Sequence, residues 1–373
     1  MKRILSLSVL AALAASVLFI ACPSQKGDIN VGVILPLTGD AALYGKEGLN
    51  GMQMAVDEVN QKGGIKGRPI KLVVEDDKGT PADGVSALNK LIATNTGMKV
   101  VLGGAFSQVA AALIPICDAK GVVLFSPYAS NPDLIKPNQN FFRNWPSDAA
   151  EGSQMAKYAY ENLSLRKVAI LSSSTDYGVG LRRVFEQQYK AMGGEIPAVE
   201  EFGKDATDFR TQLAKIKPTD PQALYMIGWY KDFALILRQA TELGMKVQYL
   251  SCVTFNQPEI LKLAGSAAEG VIYSQPSYSA DSREPVVAGF VAAYKARFNN
   301  APGIYAAQGY DAVNLVAKAL NEGTSLEAIK KGLYAIKDFP GVTGLTTFDQ
   351  NGDVQKPVQF WQVKGGKFVQ IEG

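Results

Sequence analysis

The residues best suited to chemistry lie in two turns. The segment from 99 to 133, KVVLGGAFSQVAAALIPICDAKGVVLFSPYASNPD, reads as strand, glycine turn, helix, strand and polar turn. Ser107 falls where the helix begins. A helix N-terminus offers free backbone N–H groups and the positive end of its dipole, so it suits a carboxylate. Ser107 could add its hydroxyl, and the amide of Gln108 or Val109 could join; equally, Ser107 could only cap its helix. The second turn, Ser126-Pro127-Tyr128-Ala129-Ser130, offers carbonyls and hydroxyls, and is also ordinary turn chemistry. Both turns follow apolar runs that read as buried strands. In a parallel sheet they emerge at one carboxyl edge, where open α/β sheets bind ligands. The two turns are expected to hold the carboxylate end of a small ligand.

Other chemistry is excluded. The chain has no histidine, which removes Ser-His and Cys-His catalysis and every zinc pattern that needs histidine. Cys22, Cys117 and Cys252 are far apart and form no CxxC, so no disulfide framework is expected. Asp176-Tyr177-Gly178-Val179-Gly180 contains GxG after a strand, but Arg183 stands where a dinucleotide fingerprint needs its third glycine. There is no Walker A pattern. Asp76-Asp77 has no further acidic cluster near it and reads as a solvated strand end. No catalytic residue, metal or cofactor is therefore expected. The formal charge is +3, and removal of a leader carrying Lys2 and Arg3 would lower it by two to +1. Such near neutrality, with scattered basic residues, argues against nucleic acid as a partner.

The elements that must position these turns follow from patterning. At 373 residues the chain is long enough for two domains of roughly 150 residues each. MKRILSLSVLAALAASVLFIAC has a basic start and an apolar run, as an export signal does. It ends in Phe19-Ile20-Ala21-Cys22, similar to a bacterial lipobox, although phenylalanine replaces the usual leucine three residues before the cysteine. Residues 1–21 are expected to be removed and Cys22 lipidated, leaving 22–28 as a tether at a membrane surface. From Ile29 onwards, strands and amphipathic helices alternate, which predicts a parallel sheet with helices on both faces. Asn144 to Asp148 breaks the pattern and reads as a crossing, with Trp145 expected in hinge packing. Alternation then resumes with strands at 168–173, 223–228, 247–253 and 271–274. Two late helical stripes, an extended run over 342–348 and two short strands complete the chain. Tyr44, Tyr177 and Trp229 each sit just past a predicted strand, where two facing units would meet. They could close over the apolar part of a ligand and hold an ammonium by cation–π attraction of about 0.5–2 kcal/mol, or simply pack between the units.

In order and spacing, the segments VGVILPLTGDAALYGKEGLNGMQMAVDEVN, GGIKGRPIKLVVEDDKG, GVVLFSPYASNPDL, FFRNWPSDAAEG, STDYGVG, SAAEGV, YAAQGYDAVNLVAKAL and GLTTFDQNGD resemble type I periplasmic binding proteins of the leucine/isoleucine/valine-binding kind. These are the receptors of ABC importers. The resemblance implies two Rossmann-like α/β lobes joined by three crossing strands, with the ligand clamped between them. It implies a first lobe of 29–146 and 277–355, and a second of 148–275 and 356–373. The implied ligand is an amino acid and the implied partner a membrane permease, with the protein acting as a monomer, in the periplasm or at the cell surface. It is not expected to be an enzyme; a sensory module for a signalling partner is the other use of such a fold. By the same resemblance, Ser107 binds the amino-acid carboxylate, Tyr128 offers its carbonyl and Ser130 its hydroxyl.

One position departs from the family. Aligned back from Ala267-Ala268-Glu269-Gly270, Val253 falls where the branched-chain receptors place a glutamate that pairs with the ligand ammonium. A buried ammonium without a counter-charge is costly. Either another acid, such as Asp176, Asp232 or Asp311, supplies the charge, or the ligand is a carboxylate with no ammonium.

Overall fold

A computed structural model describes residues 27–137 and 139–372, so the expected signal and Cys22 lie outside the described residues. The first unit runs β1 (Ile29–Leu35), α1 (Ala42–Gln61), β2 (Ile70–Asp76), α2 (Pro81–Thr94), β3 (Val100–Gly103), α3 (Ser107–Lys120), β4 (Val123–Ser126) and β5 (Phe141–Arg143). Its five strands form a parallel sheet in the order β2-β1-β3-β4-β5. The order reverses beside β1: α1 and the segments after β3 leave in opposite directions and open a crevice at the carboxyl edge. The strands β3 and β4 are buried throughout, as their unbroken apolar runs require.

The second unit runs α4 (Asp148–Lys157), β6 (Val168–Ser173), α5 (Asp176–Ala191), β7 (Val199–Phe202), α6 (Arg210–Ile216), β8 (Ala223–Ile227), α7 (Tyr230–Glu242), β9 (Gln248–Ser251), α8 (Pro258–Ala264) and β10 (Ile272–Pro276). The chain then returns through α9 (Pro285–Phe298), α10 (Ile304–Leu320) and α11 (Leu326–Tyr334), and α10 packs along α1 of the first unit. After a small hairpin, β11 (Phe339–Gly341) and β12 (Gly344–Thr346), it re-enters the second sheet as β13 (Val358–Lys364) and β14 (Lys367–Ile371). That sheet is ordered β14-β13-β10-β9-β8-β6-β7 and is parallel except for β13, which runs antiparallel to both β10 and β14. Two α/β lobes result, and the chain passes between them after Arg143, after Pro276 and before Val358.

The extended run expected over 342–348 is instead a hairpin. The Asp311 carboxylate accepts from the amides of Val342 and Thr343 at its tip, and Gly344 takes φ +87 there. Strand β7 has only one buried residue, so no apolar run announced it. The helix expected from 149 to 163 is regular only to Lys157 and continues as a π-turn over Tyr158–Asn162. Asp77 is wholly buried rather than solvated, and Asp76 accepts from the amides of Leu37 and Lys78, pinning the turn after β1. Cys117 and Cys252 are free and buried.

Candidate functional site

The turn after β3 is built on backbone freedom. Gly104 takes φ +62, and a Cβ there would stand 3.0 Å from Ala110 of α3. This places Ser107 as the first residue of α3, 1% exposed, at the carboxyl edge of the sheet. Phe106, not Ser107, occupies the N-cap position, and no side chain caps the helix. The Ser107 hydroxyl instead accepts from the amide of Asn131 at 3.2 Å, which leaves its own proton free to donate. Ser126 ties the two turns together: its hydroxyl donates to the Gly104 carbonyl (2.8 Å) and accepts from the Ala129 amide (3.0 Å). Tyr128 turns its ring inward and donates its hydroxyl to the Tyr305 carbonyl at 3.0 Å. Arg143, wholly buried, donates to the carbonyls of Ala129 and Asn131 and forms a bidentate pair with Asp353.

The second lobe closes over these turns. Tyr44 donates its hydroxyl to the Thr254 carbonyl (3.1 Å) and accepts from the Tyr230 amide (3.3 Å). Asn131 donates to the Asp176 carbonyl at 2.6 Å, an approach that requires the absence of a side chain at Gly180, where a Cβ would stand 2.7 Å from the Asn131 amide nitrogen. That close packing, not a phosphate, accounts for the glycine at 180. Arg183 pairs with Asp133 at 2.9 Å, and Lys231 with Asp40. The charged pairs are largely exposed and worth about 0–1 kcal/mol each. The buried hydrogen bonds and the rings of Tyr44 and Phe106 against Trp229 therefore join the lobes more than the ion pairs do.

Between the lobes lies a small space of ≈ 20 Å³, about enough for one water. It touches Ser107, Ser130 and Val253, and its walls are aromatic: Phe106, Tyr128, Trp145, Tyr177, Trp229 and Tyr305. Phe106 and Trp229 meet with ring centroids 4.4 Å apart and separate this inner space from a wider outer cleft. Tyr44 and Gln108 line the outer cleft instead. Ala129 is buried behind the turn. Trp145, expected in hinge packing, does stack on Tyr305 (5.6 Å, 20°), but it also forms part of the wall of the inner space. Phe106, Thr254 and Tyr305 carried no signal in sequence: an aromatic within a helix start or a helical stripe looks like core.

None of the three acids considered as counter-charges reaches this space. Asp176 is exposed. Asp232 caps α7 by accepting from the Trp229 amide at 2.9 Å and faces the outer cleft. Asp311 is engaged by the hairpin at Val342 and Thr343 in the first lobe. Two other acids lie behind the wall, Asp148 and Glu151, at i and i+3 on one face of α4. Glu151 is 3% exposed; one carboxylate oxygen accepts from the Val253 amide (3.0 Å) and the Ser274 hydroxyl (2.8 Å). Asp148 is 0% exposed, with the Ser130 hydroxyl beside its carboxylate. Burial pushes the Glu151 carboxyl up to about 7 and holds that of Asp148 well above the carboxylate range. The missed signal was the pair itself, which stands in the crossing NWPSDAAEG.

Comparisons with known proteins agree with this architecture. A family model described as periplasmic binding protein matches residues 28–367. A Leu/Ile/Val-binding protein of Rhizobium johnstonii is 30% identical over 368 residues, covering 97% of this chain and 98% of that one. The crystal structure of a leucine-binding protein from Thermotoga maritima superposes with TM-score 0.87 at 28% identity, covering 92% of this chain and 98% of that one. A branched-chain amino acid transporter substrate-binding protein from Streptococcus pneumoniae, in complex with isoleucine, gives TM-score 0.84 at 31% identity, covering 92% and 100%. With its two α/β lobes, its interlobe space and a family match over nearly the whole described chain, the protein belongs to the periplasmic binding protein family.

Proposed function

We propose that the protein is the extracytoplasmic receptor of an ABC importer and captures an amino acid, of branched-chain type, between its lobes for delivery to a membrane permease. It binds solute and is not an enzyme, as befits its family. The observation that carries the reading is the juxtaposition of the α3 N-terminus with an aromatic-walled space between two lobes. The N–H groups at the start of α3 and the Ser107 hydroxyl take the carboxylate. The carbonyl of Tyr128 and the hydroxyl of Ser130 serve the amino end, and Tyr177, Trp229 and Tyr305 enclose an apolar side chain. Val253 adds an apolar surface to the same space. Support also comes from the relatives, several of which are Leu/Ile/Val-binding proteins.

Capture is a shift between open and closed lobes, and a ligand favours closure because it touches both. We assign residues 29–146 and 277–355 to one lobe and 148–275 and 356–373 to the other. A signal over 1–21, lipidation at Cys22 and a short tether would keep a monomer at the membrane surface beside its permease.

Ser107→Ala tests the carboxylate assignment. The variant should weaken amino-acid binding by about 1–3 kcal/mol, the range for a hydrogen bond to a charged group. Calorimetry that finds unchanged affinity would remove Ser107 from the site.

A further inference from the structure

We propose that the amino edge of the first lobe's sheet faces the membrane, and that lysines there and Arg68 meet the anionic head groups of a lipid bilayer. This rests on the lipid anchor proposed above and names the surface that the anchor turns towards the membrane.

The start of the described chain fixes the geometry. The Arg68 guanidinium donates to the carbonyls of Gly27 (2.8 Å) and Asp28 (3.4 Å), and the Ile29 amide donates to the Pro69 carbonyl (2.8 Å). The chain is therefore held as it enters β1, at the amino edge of the sheet. From Cys22 to Gly27 the backbone spans at most about 18 Å, even fully extended. A lipid on Cys22 brings this edge within that distance of the bilayer surface. The crevice at the carboxyl edge stands further off: α1, which runs from one edge to the other, has 20 residues and is about 30 Å long.

This edge is rich in positive charge. Strands run away from it and helices return to it, so it collects the ends of α1, α3 and α10. Lys62 caps α1, and Lys66 and Arg68 follow in the turn to β2. Lys99 precedes β3, Lys120 ends α3 and Lys318 lies in the last turn of α10. Among the described residues none of these forms a salt bridge. Lys62, Lys66, Lys120 and Lys318 are exposed. Arg68 and Lys99 are half-buried in the wall of a pocket of ≈ 230 Å³ on the same edge, with Asn30, Thr96 and Thr324 as further polar lining. The acids of this edge, Asp28, Asp118, Glu322 and Glu327, are fewer. Asp28 lines the pocket, and Asp118 accepts from the Asn140 amide at 2.6 Å.

Lysine at a helix end is ordinary, because it complements the dipole. The amino edge of the second lobe has such residues too, Lys190 and Lys246 among them, and Lys190 pairs with Glu186. The anchored end of the chain, however, joins at the first lobe. Only there do anchor and charge coincide. An acyl anchor beside a basic surface makes attachment firm, since each cation near an anionic leaflet adds attraction that falls off within a Debye length.

The test mixes the protein, isolated with its N-terminus as the cell processes it, with vesicles of phosphatidylcholine or of equal parts phosphatidylcholine and phosphatidylglycerol. Sedimentation reads attachment. Acetylation by a membrane-impermeant reagent, followed by mass spectrometry, reads which lysines are covered. Lys62, Lys66 and Lys120 are expected to react several-fold more slowly on the anionic vesicles than on the neutral ones, and Lys190 and Lys246 equally on both. Salt at about 1 M, which cuts the Debye length to about 3 Å, should abolish the difference. The triple variant Lys62→Glu, Lys66→Glu, Lys120→Glu changes exposed residues only, so it should fold and bind amino acid as before. In it, Lys99 and Lys318 should react equally on both vesicles. Equal reaction of all these lysines on both vesicles, in a protein whose N-terminal peptide carries the lipid, overturns the proposal and leaves the anchor in place. Slower reaction of Lys190 and Lys246 instead puts the second lobe on the membrane and also overturns it. Salt-sensitive sedimentation with the anionic vesicles alone, by a protein cleaved but found without lipid, sustains this surface and removes the anchor. A cleaved, lipid-free protein that sediments with neither vesicle overturns both.

Discussion

Arg143→Ala is expected to destabilise the protein by about 3–5 kcal/mol, the cost of leaving one partner of a buried ion pair alone. The guanidinium is wholly buried, and four of its contacts are to one neighbourhood: both oxygens of Asp353, each at 2.7 Å, and the carbonyls of Ala129 and Asn131 at 3.2 and 3.0 Å. Truncation strands all of these acceptors at once. Because two of them belong to the turn that carries Tyr128 and Ser130, ligand affinity should fall together with stability. Arg143→Lys should recover little, since an ammonium cannot reproduce the forked geometry. Urea denaturation should show a lower midpoint with an unchanged slope. A loss below about 1 kcal/mol would mean that the turn is held by its backbone bonds alone.

Gly48→Ala is expected to damage binding although it should help the helix. Within α1 an alanine gains about 1 kcal/mol over glycine in propensity. Here a Cβ would stand 1.7 Å from the Tyr128 hydroxyl oxygen and 2.8 Å from the ring carbon that bears it. Tyr128 cannot easily retreat. Its hydroxyl is bonded to the Tyr305 carbonyl, and its ring meets Trp145 and Tyr305 edge to face. Overpacking of this kind costs about 1–3 kcal/mol, which outweighs the helical gain. The ring would be driven towards the inner space, and affinity should fall by about tenfold or more. Tyr128→Phe in the same background removes the clashing atom. It should restore part of both stability and affinity, a coupling that a double-mutant cycle measures. Additive effects of the two substitutions would show that the two residues do not press on one another.

Much of the fold was legible because the apolar runs are of two clear kinds. Strands β3, β4, β6 and β8 are buried along their whole lengths and read as unbroken apolar segments. The edge strand β7 is largely exposed and carries no such run. The hairpin of β11 and β12 depends on Asp311, about thirty residues earlier, which no local window contains. Among the candidate site residues, the turns that carry Ser107 and Ser130 were legible as turns because glycine, proline and serine mark strand ends. The aromatic walls were only half legible: Tyr177 and Trp229 follow strands directly, whereas Phe106 and Tyr305 lie in segments that look like packing.

The acids show where local reading fails. Asp148 and Glu151 are ordinary residues for the first turn of a helix, where carboxylates complement the dipole. Only the tertiary structure reveals that their helix faces inward, against Val253 and Ser274. The three acids that sequence offered are each committed elsewhere or exposed. The β9 loop carries no acid, and the two nearest buried ones stand on the neighbouring helix α4.

The account is tested most directly by a thermal-shift panel of the L-amino acids and their deaminated counterparts against the purified protein. A ligand that binds the folded state alone raises the melting temperature in proportion to the logarithm of its excess over Kd. Leucine, isoleucine and valine should give the largest shifts, with the deaminated acids well behind. A panel in which no amino acid moves the transition, or in which the deaminated acids move it most, would contradict a receptor that clamps an amino acid between its lobes.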